Sequence, residues 1–492
     1  MPPSLSKSRF VAGWQCVRQL WWRVHDPDAP ELQPDAVLQD RFDQGAQVGR
    51  RAREEFPGGV LIDLPHRDPG QVPATRAAIA AGAPAVFEAA FLEDGVFAAV
   101  DVLLRDGEGW AVIEVKSSTC VKDEHIPDAA VQVWVARRAG LDVRRVEIMH
   151  LNPDHRHPAE EPLFLRSDVT EVVERFLPQV PGLVTDLLAA LQGPLPSVPT
   201  GLHCFEPRVC PFFDRCWPGD RDHIRHLYGT GGAKVVGWMQ RGVHRIGDLL
   251  PAAKLNETQR RQVRAVREDR LVVESGLAEA LAGHGLLERG GRVGYLDFET
   301  IQRALPVWSG QRPWEQTVVQ FSYHEQQPDG AVTHAAFLAE GPDDPRAEIV
   351  EGLLAATAGA PVIVTYTPFE KTRIRKLAEQ VPARRNELLE LADRLVDLLP
   401  VVRNHVYHPE FRGSYSLKAI LTPLCPDLGY DDLAIVDGQV ASVEIARLLF
   451  FQHLVQDRAR TRADLLAYCE RDTWALVRLV ARLRELAGAA PA

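Results

Sequence analysis

A chain of 492 residues that is 46% hydrophobic and 25% charged has the makeup of a folded soluble protein of two or three domains, which excludes a disordered, collagen-like or low-complexity chain. Asp and Glu outnumber Lys and Arg by 67 to 56, for a net charge of −11, which excludes coating of nucleic acid by bulk positive charge and leaves only a local basic patch open. The uncharged stretches 187–205 and 352–369 are interrupted by proline and glycine and read as helix ends, a loop and a strand. With no apolar run after the first basic residues, and an odd count of seven cysteines, the expectation is a cytoplasmic protein with reduced thiols and no membrane partner.

Residues 86–116 predict three short strands, at 86–92, 97–104 and 110–116, joined by turns at Asp94-Gly95 and Gly107-Glu108. Two-residue turns set the register. Glu88 then lies opposite Asp101, and Asp101 opposite Glu114, as one row of carboxylates. Lys116, two residues past Glu114, points to the same face. Like charges directly opposite each other destabilise a sheet. Such a row makes sense beneath a divalent cation, which takes one or two carboxylates plus substrate phosphates. The lysine would orient the attacking water or neutralise charge developing on phosphate. A solvated strand face with scattered charges explains the same residues on pattern alone.

Cys204, Cys210 and Cys216 follow at even five-residue gaps, with Cys16 far upstream. Buried inert thiols are the ordinary state of free cysteine. Three cysteines so close together favour ligation. Structural zinc prefers tighter C-x₂₋₄-C pairs, whereas thiolate-held iron–sulfur clusters need four cysteines at looser spacing.

Residues 222–287 read as helical, with 229–250 a candidate helix–turn–helix element. Arg260, Arg261, Arg264, Arg267 and Arg270 form a candidate phosphate-binding stripe, or a solvated helix face. Glu288-Arg289-Gly290-Gly291 then breaks the chain. Beyond it, a strand at 294–300 holds Asp297 and Glu299 two residues apart, on one face. Strands at 317–324 and 332–339, a helix at 346–357 and a strand at 362–366 follow. Near the end, Tyr468 and Asp472 share one face of a helix. Two metals roughly 4 Å apart clamp the attacking and leaving oxygens of a phosphoryl displacement, and that chemistry needs carboxylates converging from several elements. A D-x-E strand with a distant Y-x₃-D helix provides them. Lys371, Arg373, Arg375 and Lys376 form a second basic patch.

Asp101 followed by Ile113-Glu114-Val115-Lys116 resembles the core of the PD-(D/E)xK nuclease superfamily, and Gln132 resembles the glutamine of its RecB-like members. That resemblance implies metal at Asp101 and Glu114, water activated by Lys116, support from Gln132, and Glu88 as a further acid. The helix at 44–53 carries no histidine where many relatives place a ligand. The cysteine layout resembles RecB-like nucleases of the CRISPR-adaptation type. It implies a [4Fe–4S] cluster on Cys16, Cys204, Cys210 and Cys216, with zinc as the alternative, although C-x₅-C stands here in place of C-x₂-C.

The second constellation resembles DnaQ-like 3′–5′ exonucleases of the DEDDy subtype, which have an RNase H-like fold. Asp297 and Glu299 match the first motif, and Tyr468 with Asp472 the third. Phe369-Glu370 stands where the second motif normally ends in Phe-Asp, and Asp397 is another acid in range. Tyr415-Ser416-Leu417-Lys418 resembles a helix start found between the second and third motifs.

The whole chain resembles an uncharacterised bacterial family that joins a RecB-like nuclease domain to one with an LDFET signature. The expectation is an α/β protein. It would comprise a restriction-endonuclease-like domain at 1–221, a helical connector at 222–290 and an RNase H-like domain at 291–488. The expected function is a nuclease using Mg²⁺ or Mn²⁺ on DNA single strands or ends. Alternatives are a nucleic-acid-binding protein with one or both sites inactive and the cluster domain as a scaffold, or a phosphodiesterase acting on RNA or nucleotides.

Overall fold

Asp94 and Gly95 both take left-handed backbone, at φ 47° and 77°, and close the first hairpin with a turn whose twist matches its strands. Gly107, at φ 58°, opens the second. The protein is described here from a computed structural model over residues 5–65, 68–158, 161–251, 253–288 and 290–489. It is an α/β chain of two compact units.

The first unit comprises Met1–Trp217 and a loop, Arg303–Glu315. It opens with β1 (Leu5–Ser6), α1 (Lys7–Gln15), α2 (Val17–His25) and α3 (Ala36–Arg53). Then come β2 (Val60–Leu61), α4 (Gln71–Ala80), β3 (Ala85–Glu93), β4 (Val96–Asp106) and β5 (Gly109–Lys116). It closes with α5 (His125–Arg138), β6 (Val143–Leu151), β7 (Phe164–Asp168), α6 (Thr170–Phe176), α7 (Val180–Gln192) and α8 (Phe213–Cys216). One sheet runs β2-β3-β4-β5-β6-β7, with β1 parallel to β4. The β3-β4-β5 meander is antiparallel, and β6 is parallel to β5, so α5 must cross over between them.

Both faces of this sheet are covered. Val112 and Ile148 join the Ala- and Val-rich side of α5, while Ile113 and Met149 pack with Val48 and Ala52 of α3. Strands buried on both sides read as near-continuous apolar runs, as β5 does. In the 303–315 loop, Arg303 pairs with Asp40 at 2.8 Å, and the Ala304 amide donates to Gln44 at 2.7 Å. Asp40 and Gln44 of α3 thus hold this loop in place.

The second unit comprises Pro218–Gln302 and Gln316–Ala492. It begins with α9 (Gly232–Met239), α10 (Glu257–Glu268), β8 (Val272–Val273) and α11 (Leu277–Gly283). Its sheet is built from β9 (Val293–Ile301), β10 (Thr317–Gln326), β11 (Val332–Leu338), then α12 (Arg346–Ala356) and β12 (Val362–Thr365). After α13 (Phe369–Gln380) and α14 (Arg385–Asp393) come β13 (Leu395–Asp397), α15 (Leu399–His405) and β14 (Val406–Tyr407). Helices α16 (Leu417–Leu424), α17 (Gly438–Phe450) and α18 (Arg458–Ala489) complete it. The sheet order is β11-β10-β9-β12-β13, with the first three strands antiparallel and β12 parallel to both β9 and β13. Leu296 and Phe321 join the core of α12, α13 and α14, while α18 packs on β9 and β10.

The stretch 222–290 groups with this second unit, and residues 229–250 form no helix–turn–helix. Gly242, at φ 79°, follows α9, and the chain beyond it is extended. There the Ile224 amide donates to His244 O at 2.8 Å and the Ile246 amide to Asp222 O at 2.7 Å. Backbone groups satisfied this way have no need of a second helix.

The arginines of the expected stripe find partners within the fold, while all but Arg261 stay exposed. Arg261 and Arg264 bond Glu274 at 2.9 and 2.6 Å, Arg260 bonds Leu255 O at 2.6 Å, and Arg267 bonds Gly247 O at 3.0 Å. Arg270 pairs with Glu268 at 2.6 Å. Arg289, in the predicted break, lies outside the described residues. No described helix is long and apolar enough to cross a membrane.

Candidate functional site

Two carboxylate centres and one cysteine cluster stand out, each within a single unit. The first centre grows from the β3-β4-β5 register. Phe87 pairs with Val102 and Val102 with Ile113, so Glu88, Asp101 and Glu114 follow one another across the sheet as the turns require. Glu88 interrupts the ladder, while its carboxyl still feels Lys7 and Glu114. Its backbone is left-handed, φ 56°, a conformation that costs a non-glycine residue roughly 1–3 kcal/mol. Its side chain is 44% exposed and lies 3.9 Å from Arg53.

Glu114 is 2% exposed, at the centre of the sheet, and a buried carboxylate requires partners. Lys116 Nζ donates to its Oε1 at 2.7 Å and to Asp128 Oδ2 at 2.6 Å. Gln132 Nε2, one turn along α5 from Asp128, donates to Glu114 Oε2 at 2.8 Å. Asp101 Oδ2 accepts from the Val115 amide at 2.8 Å. Sequence reading thus assembled Asp101, Glu114, Lys116 and Gln132, which the structure brings together, and overlooked Asp128. The i, i+4 spacing of Asp128 and Gln132 on one helix face was the available signal.

Lys7 was also overlooked, and no local pattern marks it. Its Nζ reaches both Glu114 oxygens at 3.1 Å and Asp101 Oδ1 at 3.4 Å. The pairing of β1 with β4 and the Ser6 cap of α1 set it over the acids. Burial alone would raise the Glu114 pKa. Lys116, Lys7 and Gln132 outweigh burial and hold it well below the usual carboxylate range. Asp101 is pushed up to about 7, first by burial and then by Glu114. Asp128 Oδ1 and Gln132 Oε1 are buried without a hydrogen-bond partner, so donor atoms at this centre are left open to a ligand.

The second centre lies in the second unit. Asp297 and Glu299 project from one face of β9, and Asp472 comes from α18. One oxygen from each lies within 4.8 Å of the others. Glu370, in the first turn of α13, is buried beside them with Oε2 unpartnered. Burial first, then mutual repulsion, pushes Asp297, Glu299 and Glu370 well above the ordinary carboxylate range. Asp472 is also raised, chiefly by burial. Buried acids with so little compensation carry full charge only with cations between them. An all-oxygen set of this kind suits a hard divalent ion.

Two further groups complete this centre. Lys418 Nζ donates to Tyr468 Oη at 2.7 Å and to Val436 O at 2.6 Å. Tyr430 Oη donates to Asp472 Oδ1 at 2.5 Å. The Ser416-capped helix start was legible in the sequence, but the reach of its lysine to Tyr468 was not.

Asp397 has a different task. Its Oδ1 accepts from the Thr367 amide at 2.8 Å and the Leu399 amide at 2.9 Å. Thr367 has φ 83°, so Asp397 ties down a strained turn and starts α15, rather than joining the ligand set. In the adjoining basic patch, Lys376 pairs with Glu379 at 3.2 Å and Arg373 lies over the Phe369 ring, while Arg375 is exposed.

Cys16, Cys204, Cys210 and Cys216 line one small cavity in the first unit, with Trp22, Phe212 and His203. All four are free thiols. Cys16 sits in the α1–α2 corner. Gln15 Nε2 binds the carbonyls of His203, Glu206 and Arg208 at 2.9, 3.2 and 2.7 Å, which holds the cysteine loop to that corner. Burial pushes the Cys210 thiol up to about 11. Among the described residues no three of these sulfurs lie within 4.8 Å of one another. A single zinc draws its thiolates to about 3.8 Å apart, given Zn–S bonds of about 2.3 Å in a tetrahedron. Four thiols facing one cavity can hold a zinc ion or an iron–sulfur cluster.

Residues 294–416 match a family model described as a domain of unknown function (DUF2779). That stretch holds Asp297, Glu299, Glu370 and Asp397 and ends before Lys418, Tyr468 and Asp472. No curated protein matches the chain in sequence.

Proposed function

We propose that the protein is a metal-dependent nuclease that hydrolyses phosphodiester bonds in DNA, on single strands or from ends, in the cytoplasm. The observation that carries this reading is the buried set Asp297, Glu299 and Asp472, with converging oxygens and Glu370 Oε2 unpartnered beside it. Magnesium or manganese bound there would supply the paired charges that stabilise an in-line displacement at phosphorus. The order β11-β10-β9-β12-β13 supports an RNase H-like fold of the DnaQ-like type, as does the pairing of D-x-E with Tyr468 and Asp472.

In this reading Asp297, Glu299 and Asp472 hold the ions and Glu370 reaches in as the fourth acid. Tyr468 stays protonated, because burial and then Asp472 raise its pKa far above the ordinary phenol value. It therefore orients a water by hydrogen bonding rather than by removing its proton. Lys418 occupies the phenol's acceptor side, which directs the phenol proton towards the site.

The first unit contributes a second, PD-(D/E)xK-type site. Asp101 and Glu114 would hold metal, Lys116 would position water, and Gln132 would fix Glu114. The four cysteines would carry a [4Fe–4S] cluster that closes the ends of this unit on each other. Lys7 favours a second reading of this unit, as a nucleic-acid-binding scaffold that does not cut, since its ammonium already bridges the two acids. RNA and nucleotides remain in the comparison, because carboxylates and metal do not read the sugar.

The test is degradation of end-labelled single-stranded DNA, with RNA in parallel, in Mg²⁺ or Mn²⁺. Wild type runs beside Lys116→Ala and Asp297→Ala. Two active sites require each variant to lose a different part of the product pattern. Intact DNA with cluster-loaded wild type sinks the DNA-nuclease reading.

A further inference from the structure

We propose that His324, His334 and Glu470 form a separate site for one transition-metal ion. Two imidazoles and a carboxylate select zinc or another first-row divalent cation over magnesium.

His324 on β10 is paired directly with His334 on β11, so both rings leave the same face of the sheet. Their centroids are 4.5 Å apart. Glu470 comes from α18, which packs across that face, and its Oε1 lies 3.8 Å from His334 Nδ1. One ligand atom from each of the three lies within 4.8 Å of the others. No ligand is shared with the Asp297 centre.

The hydrogen bonds behind these side chains decide where the ring protons go. Thr473 Oγ1 donates to Glu470 O at 3.0 Å. With its proton used, Thr473 accepts from Ser322 Oγ at 2.7 Å and from His324 Nδ1 at 2.8 Å. Ser322, having donated, accepts from His334 Nε2 at 2.9 Å. The ring nitrogens not engaged by Ser322 and Thr473 are His334 Nδ1 and His324 Nε2. His334 Nδ1 stands 3.8 Å from the Glu470 carboxylate, so one cation between them would be held by both. Metal-bound histidines are held in this way, with the second ring nitrogen donating to an oxygen.

Three protein ligands leave positions for water. The side chains of His334 and Glu470 are 28% and 51% exposed, so an ion can enter from solvent. A bound ion would cross-link α18 to the β10–β11 hairpin. Glu470 stands midway between Tyr468 and Asp472 on that helix, so the cross-link steadies the backbone that presents both.

The test is titration of the full chain with Co²⁺, after chelator treatment that leaves the cysteine cluster loaded, in saturating Mg²⁺. One Co²⁺ is expected to bind with the d–d absorption of nitrogen and oxygen ligands and no thiolate charge-transfer band. His334→Ala and Glu470→Gln, both at exposed side chains, should weaken it ~10-fold or more, while Asp297→Asn leaves it in place. Unchanged binding in His334→Ala, loss in Asp297→Asn, or displacement by Mg²⁺ each overturns the proposal.

Discussion

Lys7 Nζ stands 3.1 Å from both carboxylate oxygens of Glu114. A lysine on the first turn of α1 thus supplies positive charge where a cation would sit between Glu114 and Asp101. The two lysines of this centre, Lys7 and Lys116, face three carboxylates, those of Asp101, Glu114 and Asp128. The second centre has Lys418 as its nearby cation, and its acids are correspondingly harder to ionise.

Replacing Lys7 by methionine removes this internal cation. Without added metal the protein should lose about 1–3 kcal/mol of stability, since a buried carboxylate is left with fewer partners. Mn²⁺ should restore much of that loss and bind more tightly than in wild type. Denaturant melts with and without Mn²⁺, together with calorimetric titration, test this. Equal Mn²⁺ affinity in the two proteins would mean that Lys7 does not occupy the metal position.

Asp101 titrates near 7 in the folded protein, above the carboxylate value of about 3.9 expected when unfolded. A group raised in this way stabilises the fold fully below about 4, and that contribution is lost as pH rises towards 7. Metal-free protein should therefore lose stability across this window. Asp101→Asn should flatten the slope, and Mn²⁺ should flatten it in wild type. A pH series of unfolding midpoints reads all three.

Asp297→Asn removes one of several buried, mutually repelling carboxyls. It should leave the metal-free protein as stable as wild type or raise its stability by ~1 kcal/mol, while cutting exonuclease activity on the order of 100-fold, about 2.7 kcal/mol in barrier. Opposite signs in the two assays are the signature of a functional acid cluster. Loss of both stability and activity would make Asp297 a structural residue.

Tyr468→Phe keeps the carboxylates and removes the hydroxyl that accepts from Lys418. Mn²⁺ affinity should hold within about twofold, and kcat should fall ~10- to 100-fold, the size expected when the attacking water loses its orienting group. A change confined to KM would point to substrate contact instead.

Cys210→Ser should abolish iron and acid-labile sulfide in anaerobically purified protein and destabilise the first unit. Its thiol lies in the cavity shared with Cys16, Cys204 and Cys216. Stoichiometric zinc and no iron in wild type would replace the cluster assignment with a zinc site.

Hairpin register was legible because Asp94-Gly95 and Gly107-Glu108 are local, and a two-residue turn leaves no freedom in which residues meet. Even there Glu88 interrupts the ladder, with a left-handed φ that no pattern announces. The D-x-E face of β9 and the shared face of Tyr468 and Asp472 follow from backbone periodicity alone. Asp397 looked like another acid of the same kind until the two amides it accepts from gave it a structural task. The arginines at 260–270 lie mostly at the surface, but sequence does not report the carboxylates and carbonyls that meet them.

Residues near one another in the chain, then, determined the α/β class, the strand register and most of the acidic ligands. Long-range packing brought Lys7 to Glu114, Lys418 to Tyr468, and Glu470 to a pair of histidines on two other strands. It also gathered Cys16 with cysteines almost two hundred residues later. The reason is one of range: φ/ψ preferences and side-chain periodicity act over a few residues, whereas burial of charge is settled by whichever distant groups the completed core brings within about 3 Å.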